Sequence, residues 1–298
     1  MQAAPPFEHL TEQSATALLS SVYGIDGASL ERLDTERDDS FRVTTATAQY
    51  VLKIASPAEE ALEINLQTAA LGYASEEPRL PLQRIVLSLD AELEPLVEGR
   101  VARLLTWLPG APAAAPDHAM LGRLGETLGL LNRALSTFDH PAAHRPFEWN
   151  VLQLPLLRPL LAEFPFDEVE AAFAWFGRLA LDDLPRQVIH NDFHRGNVLT
   201  DGHQVTGVLD FGDVIYTARV VDLAVAQCYF GRADALTAGF ESVVPLRDDE
   251  HAALPGLIAA RYAARILNNS RLARDNSNAL GSIEANRAAL RALLDEES

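Results

Sequence analysis

Apolar positions along this 298-residue chain change their period twice. Within 8–23, Leu10, Ala17, Leu18 and Val22 share one face at helical spacing, which predicts a short amphipathic helix. From Ser29 to Ile54 the period shortens. Leu33, Phe41, Val43 and the run Tyr50-Val51-Leu52-Lys53-Ile54 predict strands, split by the polar turn Thr35-Glu36-Arg37-Asp38-Asp39-Ser40. Ser56-Pro57 with Glu59-Glu60 reads as a helix start, and that helix is expected to reach about Tyr73. Two further strands are expected near 83–89 and 100–105. After Trp107-Leu108-Pro109-Gly110, a Pro/Ala-rich connector extends to Asp117.

Past the connector the pattern is helical over 118–138, about 151–179, 217–240 and 250–293. The stretch 186–212 interrupts it with short apolar runs, including Val188-Ile189 and Val198-Leu199, set between polar clusters. A strand-rich first third and a helical remainder place the chain in the α+β class.

Composition narrows the choice of partners. A net charge of −18 and a pI near 4.8 repel phosphate backbones and anionic lipid. No nucleic-acid or membrane partner is therefore expected, and a cationic substrate is mildly favoured. A single cysteine, Cys228, excludes an internal disulfide and fits a reducing compartment. Met1 to Leu10 lacks the basic and apolar regions of a signal peptide, and no apolar run approaches membrane-spanning length. The expected location is cytoplasmic. Nothing in the pattern speaks to oligomeric state.

The interrupting stretch carries the chemistry. It reads His190-Asn191-Asp192-Phe193-His194-Arg195-Gly196-Asn197, followed by Asp210-Phe211-Gly212. The Asn197 amide and the Asp210 carboxylate supply two oxygen ligands suited to a hard cation such as Mg²⁺. Asp192 is a further carboxylate, close by but free to meet a substrate hydroxyl. Phosphoryl transfer needs that division, with metal neutralising the transferred group while a separate base orients the nucleophile.

These residues resemble the catalytic loop and metal-binding motif of the aminoglycoside phosphotransferase and choline kinase superfamily, relatives of the protein kinases. The form His-x-Asp-x-His-x-Gly-Asn-Val-Leu with Leu-Asp-Phe-Gly-Asp is similar to its hydroxylysine-kinase-like and homoserine-kinase-like branch. The likeness spans about Leu30 to the C-terminal helices and is tightest at 188–224. It implies a two-lobed, protein-kinase-like fold: a small antiparallel-sheet lobe over 1–106 for the nucleotide, and a larger helical lobe over 107–298 for catalytic loop, metal and substrate. It implies ATP and Mg²⁺ as cofactors. The reaction it implies is transfer of the γ-phosphate to a hydroxyl of a small, amine-bearing acceptor: a hydroxy-amino acid, an amino alcohol or an aminoglycoside-like compound. By the same resemblance Asp192 is the base, and Asn197 and Asp210 hold metal. His194 lies near the transferring phosphate, His190 orients the loop, and Asp222 braces it. Asp213 either faces substrate or stabilises a turn.

On the nucleotide side, Lys53 resembles the phosphate-binding lysine of a kinase third strand. Glu63 is its expected partner, although Gln67 matches the position better by spacing to the helix end. The turn at 35–40 holds no glycine, so its contacts to phosphate would come from backbone and Ser40. The segment Arg103 to Gly110 resembles the hinge between lobes, with Leu105, Trp107 and Leu108 around the adenine. Arg261, Tyr262, Arg265, Asn268, Asn269 and Arg271 cluster in one helix. Arg265 and Asn269 are candidate substrate contacts, and a plain surface face is the alternative. A protein kinase is disfavoured because Asp210-Phe211-Gly212 runs within ten residues into the helix at Asp222. A nucleotide-binding pseudokinase would explain the missing glycines but not the complete set of base, metal ligands and lysine. A metal-dependent hydrolase would leave Lys53 unexplained.

Overall fold

In the computed structural model, which describes residues 9–35, 38–273 and 279–297, the first third of the chain is an antiparallel sheet with a helix on one face. Its strands are β1 (Ser29–Leu33), β2 (Asp39–Thr44), β3 (Gln49–Ile54), β4 (Ile85–Val86), β5 (Leu96–Val97) and β6 (Arg100–Thr106). They lie in the order β1-β2-β3-β6-β4, with β5 paired to β6. Alternation splits them between two faces. Phe41, Val43, Leu52, Ile54, Ala102 and Leu104 pack on Ala15, Leu18, Leu19 and Tyr23 of α1 (Glu12–Tyr23) as one core. Thr11 caps the start of α1 by accepting from the Ser14 amide, and Gly24 ends it at φ +66°. Cross-strand partners Ser40, Lys53 and Arg103, then Arg42, Val51 and Leu105, share the other face.

The next helix, α2 (Ala61–Ala74), starts later than the Ser56-Pro57 signal predicts. Ser56 Oγ accepts from the Ala58 amide, which makes this stretch a turn, and Glu59 Oε1 accepts from the side-chain Nε2 of Gln67 at 2.5 Å. Leu66, Ala70, Leu71 and Ala74 of α2, with Leu80, Leu82 and Leu105, join the large second core, whose other buried members belong to the helical part of the chain.

That part contains β7 (Ala111–Pro112), α3 (His118–Ala134), α4 (Arg158–Glu163), α5 (Asp167–Phe176), β8 (Arg186–Ile189), β9 (Val198–Thr200), β10 (Val205–Val208), β11 (Ile215–Ala218), α6 (Val220–Phe230), α7 (Asp234–Glu241), α8 (Asp248–Leu272) and α9 (Ala279–Glu296). The helix expected over 151–179 is broken: a 3-10 turn at Val151–Leu157 precedes α4 and α5, because Pro155, Pro159 and Pro165 interrupt the hydrogen-bond ladder. The one expected over 217–240 starts only after β11 and divides at Gly231, whose φ is +79°. Residues 274–278 of the span 250–293 lie outside the described residues, as do Glu36 and Arg37 of the polar turn. No helix among the described residues is long and apolar enough to cross a membrane.

Candidate active site

Pairing of β8 with β11, in the register Ile189 to Ile215, sets loop 190–197 beside the segment 210–213. Asp222, in the first turn of α6, lies behind both and is fully buried. Its Oδ1 accepts from the Asn191 amide at 2.7 Å; its Oδ2 accepts from the His190 amide at 3.2 Å and from Asn132 Nδ2 at 3.3 Å. Burial pushes this carboxyl up, against the pull of His190 and the two amides. Asn191 adopts a left-handed φ of +64°, a conformation Asn tolerates better than most residues. Asp222 thus braces the loop, as the resemblance implies.

His190 is sealed from the cleft, with no exposed surface. The Asp192 amide donates to its Nδ1 at 3.3 Å, so the proton sits on Nε2, which donates to the Leu209 carbonyl at 3.1 Å. His190 therefore ties the loop to the strand leading into Asp210. With no exposed surface and both ring nitrogens bonded, this imidazole holds the loop and does not face the cleft.

Asp192 opens onto the cleft, and its oxygens have different neighbours. Oδ2 accepts from Asn197 Nδ2 at 2.7 Å and lies 3.4 Å from His194 Nε2. Oδ1 lies 3.7 Å from Nη2 of Arg261, a fully buried guanidinium on α8. Asn197 Nδ2 also bonds the Asp192 carbonyl at 3.1 Å, which leaves the amide oxygen of Asn197 for another partner. His194 Nδ1 accepts from the Gly196 amide at 2.8 Å, which places its proton on Nε2, toward Asp192. A side chain at Gly196 would put Cβ 2.8 Å from the His194 ring.

Asp210 has a left-handed φ of +61°, and its Oδ1 accepts from the Gly212 amide at 3.0 Å. The protein crowded around it opposes ionisation, yet Lys53, the Gly212 amide, His190 and His194 outweigh that and hold the carboxyl below its ordinary value. An amide oxygen and an ionised carboxylate are hard donors that fit Mg²⁺. Among the described residues no group of three or more His, Cys, Asp or Glu could hold a metal ion. A cation here would complete its shell with nucleotide phosphates and water, the usual habit of Mg²⁺ in phosphoryl transfer.

Across the cleft, Lys53, Gln67, Arg103 and Leu105 line a small cavity together with Asp210 and Phe211. Lys53 Nζ pairs with Asp38 at 3.4 Å. The expected Lys53–Glu63 pair does not form: Glu63 Oε1 faces Arg145 Nε at 3.5 Å. Gln67, one turn along α2, is the helix residue on the lysine side, and it accepts from Arg103 at 3.1 Å. Burial, then the charge of Asp38, pushes the neighbouring Glu59 carboxyl up against Arg103, Gln67 and Lys53. Ser40 stands opposite Lys53, but it is buried, and its hydroxyl has no hydrogen-bond partner among the described residues. Leu105 is in the cavity wall. The Trp107 ring carries the Arg42 guanidinium at 4.4 Å, and Trp107 donates its amide to Gln49 at 3.0 Å. Leu108 packs on the β9–β10 hairpin, where a side chain at Gly207 would meet it at 3.1 Å.

Residues 30–241 match the model of the phosphotransferase enzyme family. The chain belongs to that family. It is an ATP-dependent phosphotransferase. Among its relatives is hydroxylysine kinase of Mus musculus, 30% identical over 306 residues that cover 86% of this chain and 81% of that protein. Homoserine kinase of Methylobacillus glycogenes is 28% identical over 230 residues, covering 74% and 72%. The fold is shared with an amicoumacin kinase solved with AMP-PNP and Ca²⁺, at a TM-score of 0.75 and 14% identity over 94% of this chain and 93% of that one. A spectinomycin phosphotransferase bound to AMP gives 0.76 at 12% identity, over 97% and 100%.

Within this phosphotransferase the expected acceptor residues separate. Arg265 lies 4.0 Å over the Tyr229 ring, which in turn lies 4.9 Å from the His194 ring, so it borders the catalytic loop. Asp213 follows Gly212, and its charge acts on both Arg145 and Arg261. Asn269 is spoken for elsewhere: its Nδ2 donates to Ser282 of α9 at 3.2 Å, because α9 packs along that face of α8. Sequence reasoning missed the partners of these groups: Arg145 beside Glu63, Arg42 over Trp107 and Asp38 beside Lys53. It grouped Arg261 with its helix neighbours without singling it out, although Arg261 precedes Arg265 by one helical turn.

Proposed function

We propose that this phosphotransferase moves the γ-phosphoryl group of ATP to the hydroxyl of a small hydroxy-amino acid, with Asp192 as the base. The observation that carries the reading is the pair of environments around that carboxylate: Asn197 on Oδ2, next to the oxygens suited to metal, and Arg261 on Oδ1, on the side of α8. Magnesium, when bound with the nucleotide, supplies charge neutralisation on the transferred group. Asn197 and Asp210 would hold it, and Lys53 would meet the phosphates. Asp192 orients the acceptor hydroxyl and takes its proton, while Asn197 and Arg261 keep the carboxylate from turning.

The acceptor class follows from charge. Arg265, stacked beside the catalytic loop, offers a guanidinium to a carboxylate. Asp213 and the net charge of −18 favour an ammonium group. Hydroxylysine and homoserine, named in the relatives, carry both. The chain from Gly212 reaches α6 at Val220 through β11, which supports a small acceptor over a protein substrate held by a long activation segment.

The test is ATP consumption over hydroxy-amino acids, amino alcohols, sugars and aminoglycosides. Hydroxy-amino acids should exceed amino alcohols lacking the carboxylate by roughly tenfold or more in kcat/KM, the scale of one charged hydrogen bond. Arg265→Ala should remove most of that preference and leave the KM for ATP in place. Equal or better turnover of the carboxylate-free acceptors would defeat the reading.

A further inference from the structure

Glu63 and its partner Arg145 lie on a seam that the reaction as described above does not use. Although α2 lies in sequence between β3 and β4 of the sheet, it packs with the helical part of the molecule: Leu66, Ala70 and Leu71 share a core with Ala142 and Ala143. Polar contacts follow the same line. Tyr73 Oη lies 2.8 Å from Thr137 Oγ1, and His140 Nε2 lies 3.2 Å from Asn65 Oδ1. The seam ends at Arg145, whose side chain is mostly buried.

Arg145 has more than one obligation. Its Nε faces Glu63 Oε1 at 3.5 Å. Nη1 donates to the carbonyls of Ala142 and Val214, both at 2.9 Å, and Nη2 points to the Gly212 carbonyl at 3.4 Å. The guanidinium also lies 4.7 Å from the Phe147 ring. Gly212 is therefore held on both sides: its amide donates to Asp210 Oδ1 at 3.0 Å and its carbonyl faces Arg145. A side chain at Gly212 would bring Cβ to 3.0 Å from that same Asp210 oxygen, so the approach is close. A planar fork of five donors suits this role, and a lysine could meet only part of it.

We infer that Arg145 is a positioning residue for the metal-binding carboxylate: it links Glu63 of α2 to the carbonyls of Gly212 and Val214 and so sets the direction of Asp210. The inference rests on Asp210 being a metal ligand. In this phosphotransferase the helix glutamate serves the metal loop through an arginine. Loss of such an outer partner typically weakens metal binding by about ten- to a hundredfold.

The experiment uses Mn²⁺ as probe. Mn²⁺ affinity of the full chain saturated with ADP is measured by electron paramagnetic resonance, beside melting curves without nucleotide and the affinity for metal-free ADP. Arg145→Met should bind Mn²⁺ about tenfold or more weakly while metal-free ADP binding stays within twofold. Arg145→Lys should recover part of the loss, and Glu63→Gln should show a smaller loss than Arg145→Met. Mn²⁺ affinity within twofold of wild type in a cooperatively melting Arg145→Met protein overturns the inference. Should that variant fail to fold, unchanged affinity in both Arg145→Lys and Glu63→Gln overturns it equally. Asp210→Asn separates this from the parent reading: if it binds Mn²⁺ as wild type does, the metal assignment itself is wrong.

Discussion

Two walls face each other across the cleft, and they are held by different kinds of contact. On the catalytic wall the groups behind the loop are fully buried and bonded to the backbone: Asp222 takes two consecutive backbone amides, and His190 is bonded at both ring nitrogens. On the nucleotide wall the contacts run between side chains, Lys53 with Asp38 and Gln67 with Glu59 and the buried Arg103. The first arrangement is costly to disturb, because removing a buried partner strands a desolvated donor. The second is adaptable, since its ion pairs can exchange for phosphate oxygens. The proposed reaction fits this asymmetry: a fixed loop for the proposed base and metal oxygens, and a wall whose lysine can exchange Asp38 for phosphate.

Substitutions can break or sharpen this contrast. The largest effect is expected at Asp192→Asn, which should lower kcat by about 10²- to 10⁴-fold. The melting shift induced by Mg·ATP should survive, since the metal oxygens of Asn197 and Asp210 remain. Full turnover in that variant would place the base elsewhere. Next comes Asp222→Ala. It strands the His190 and Asn191 amides at about 1–3 kcal/mol each, so denaturant unfolding should show a loss of roughly 3 kcal/mol or more. Lys53→Met, on the other wall, should raise the KM for ATP by roughly ten- to a hundredfold, the scale of a charged hydrogen bond to phosphate. It should cost less stability than Asp222→Ala. A reversed ranking of those two variants in unfolding would remove the proposed contrast.

The smallest effect concerns acid stability. Asp39 is fully buried at the start of β2, where burial opposes ionisation, but Arg32, the Leu10 amide, His9 and Arg100 overcome it and lower the pKa from 3.8 to about 2. A depressed carboxylate contributes stability that is present above 3.8 and lost as the pH falls toward 2. Unfolding free energy measured from pH 5 to pH 2 should fall less steeply in Asp39→Asn than in wild type.

How much of this was legible in the chain depended on distance along it. The proposed base, both proposed metal oxygens and the bracing Asp222 sit within one stretch, 190–222, where spacing alone brings them together once β8 and β11 pair. Lys53 stood out as a lysine in an apolar strand, and alternation put it on the cleft face with Ser40 and Arg103. Glu63 was misassigned because helical spacing says which residues share a face of α2 but not what that face meets. Asn269 failed for a related reason: α9 returned to claim its amide. Helix boundaries at Ser56-Pro57 and over 151–179 were also misjudged, where side-chain bonds and prolines outweighed apolar periodicity.

The sequence by itself determined the α+β class, the strands of the first third and the loop proposed to carry base and metal ligands, because each depends on local periodicity or on residues a few positions apart. Tertiary structure alone decided that α2 docks on the helical core, that Arg145 joins Glu63 to the metal loop, and that Arg261 reaches Asp192 from α8. Those contacts join residues far apart in the chain. They form only where burial of apolar surface has already brought the elements together, and no local pattern encodes them.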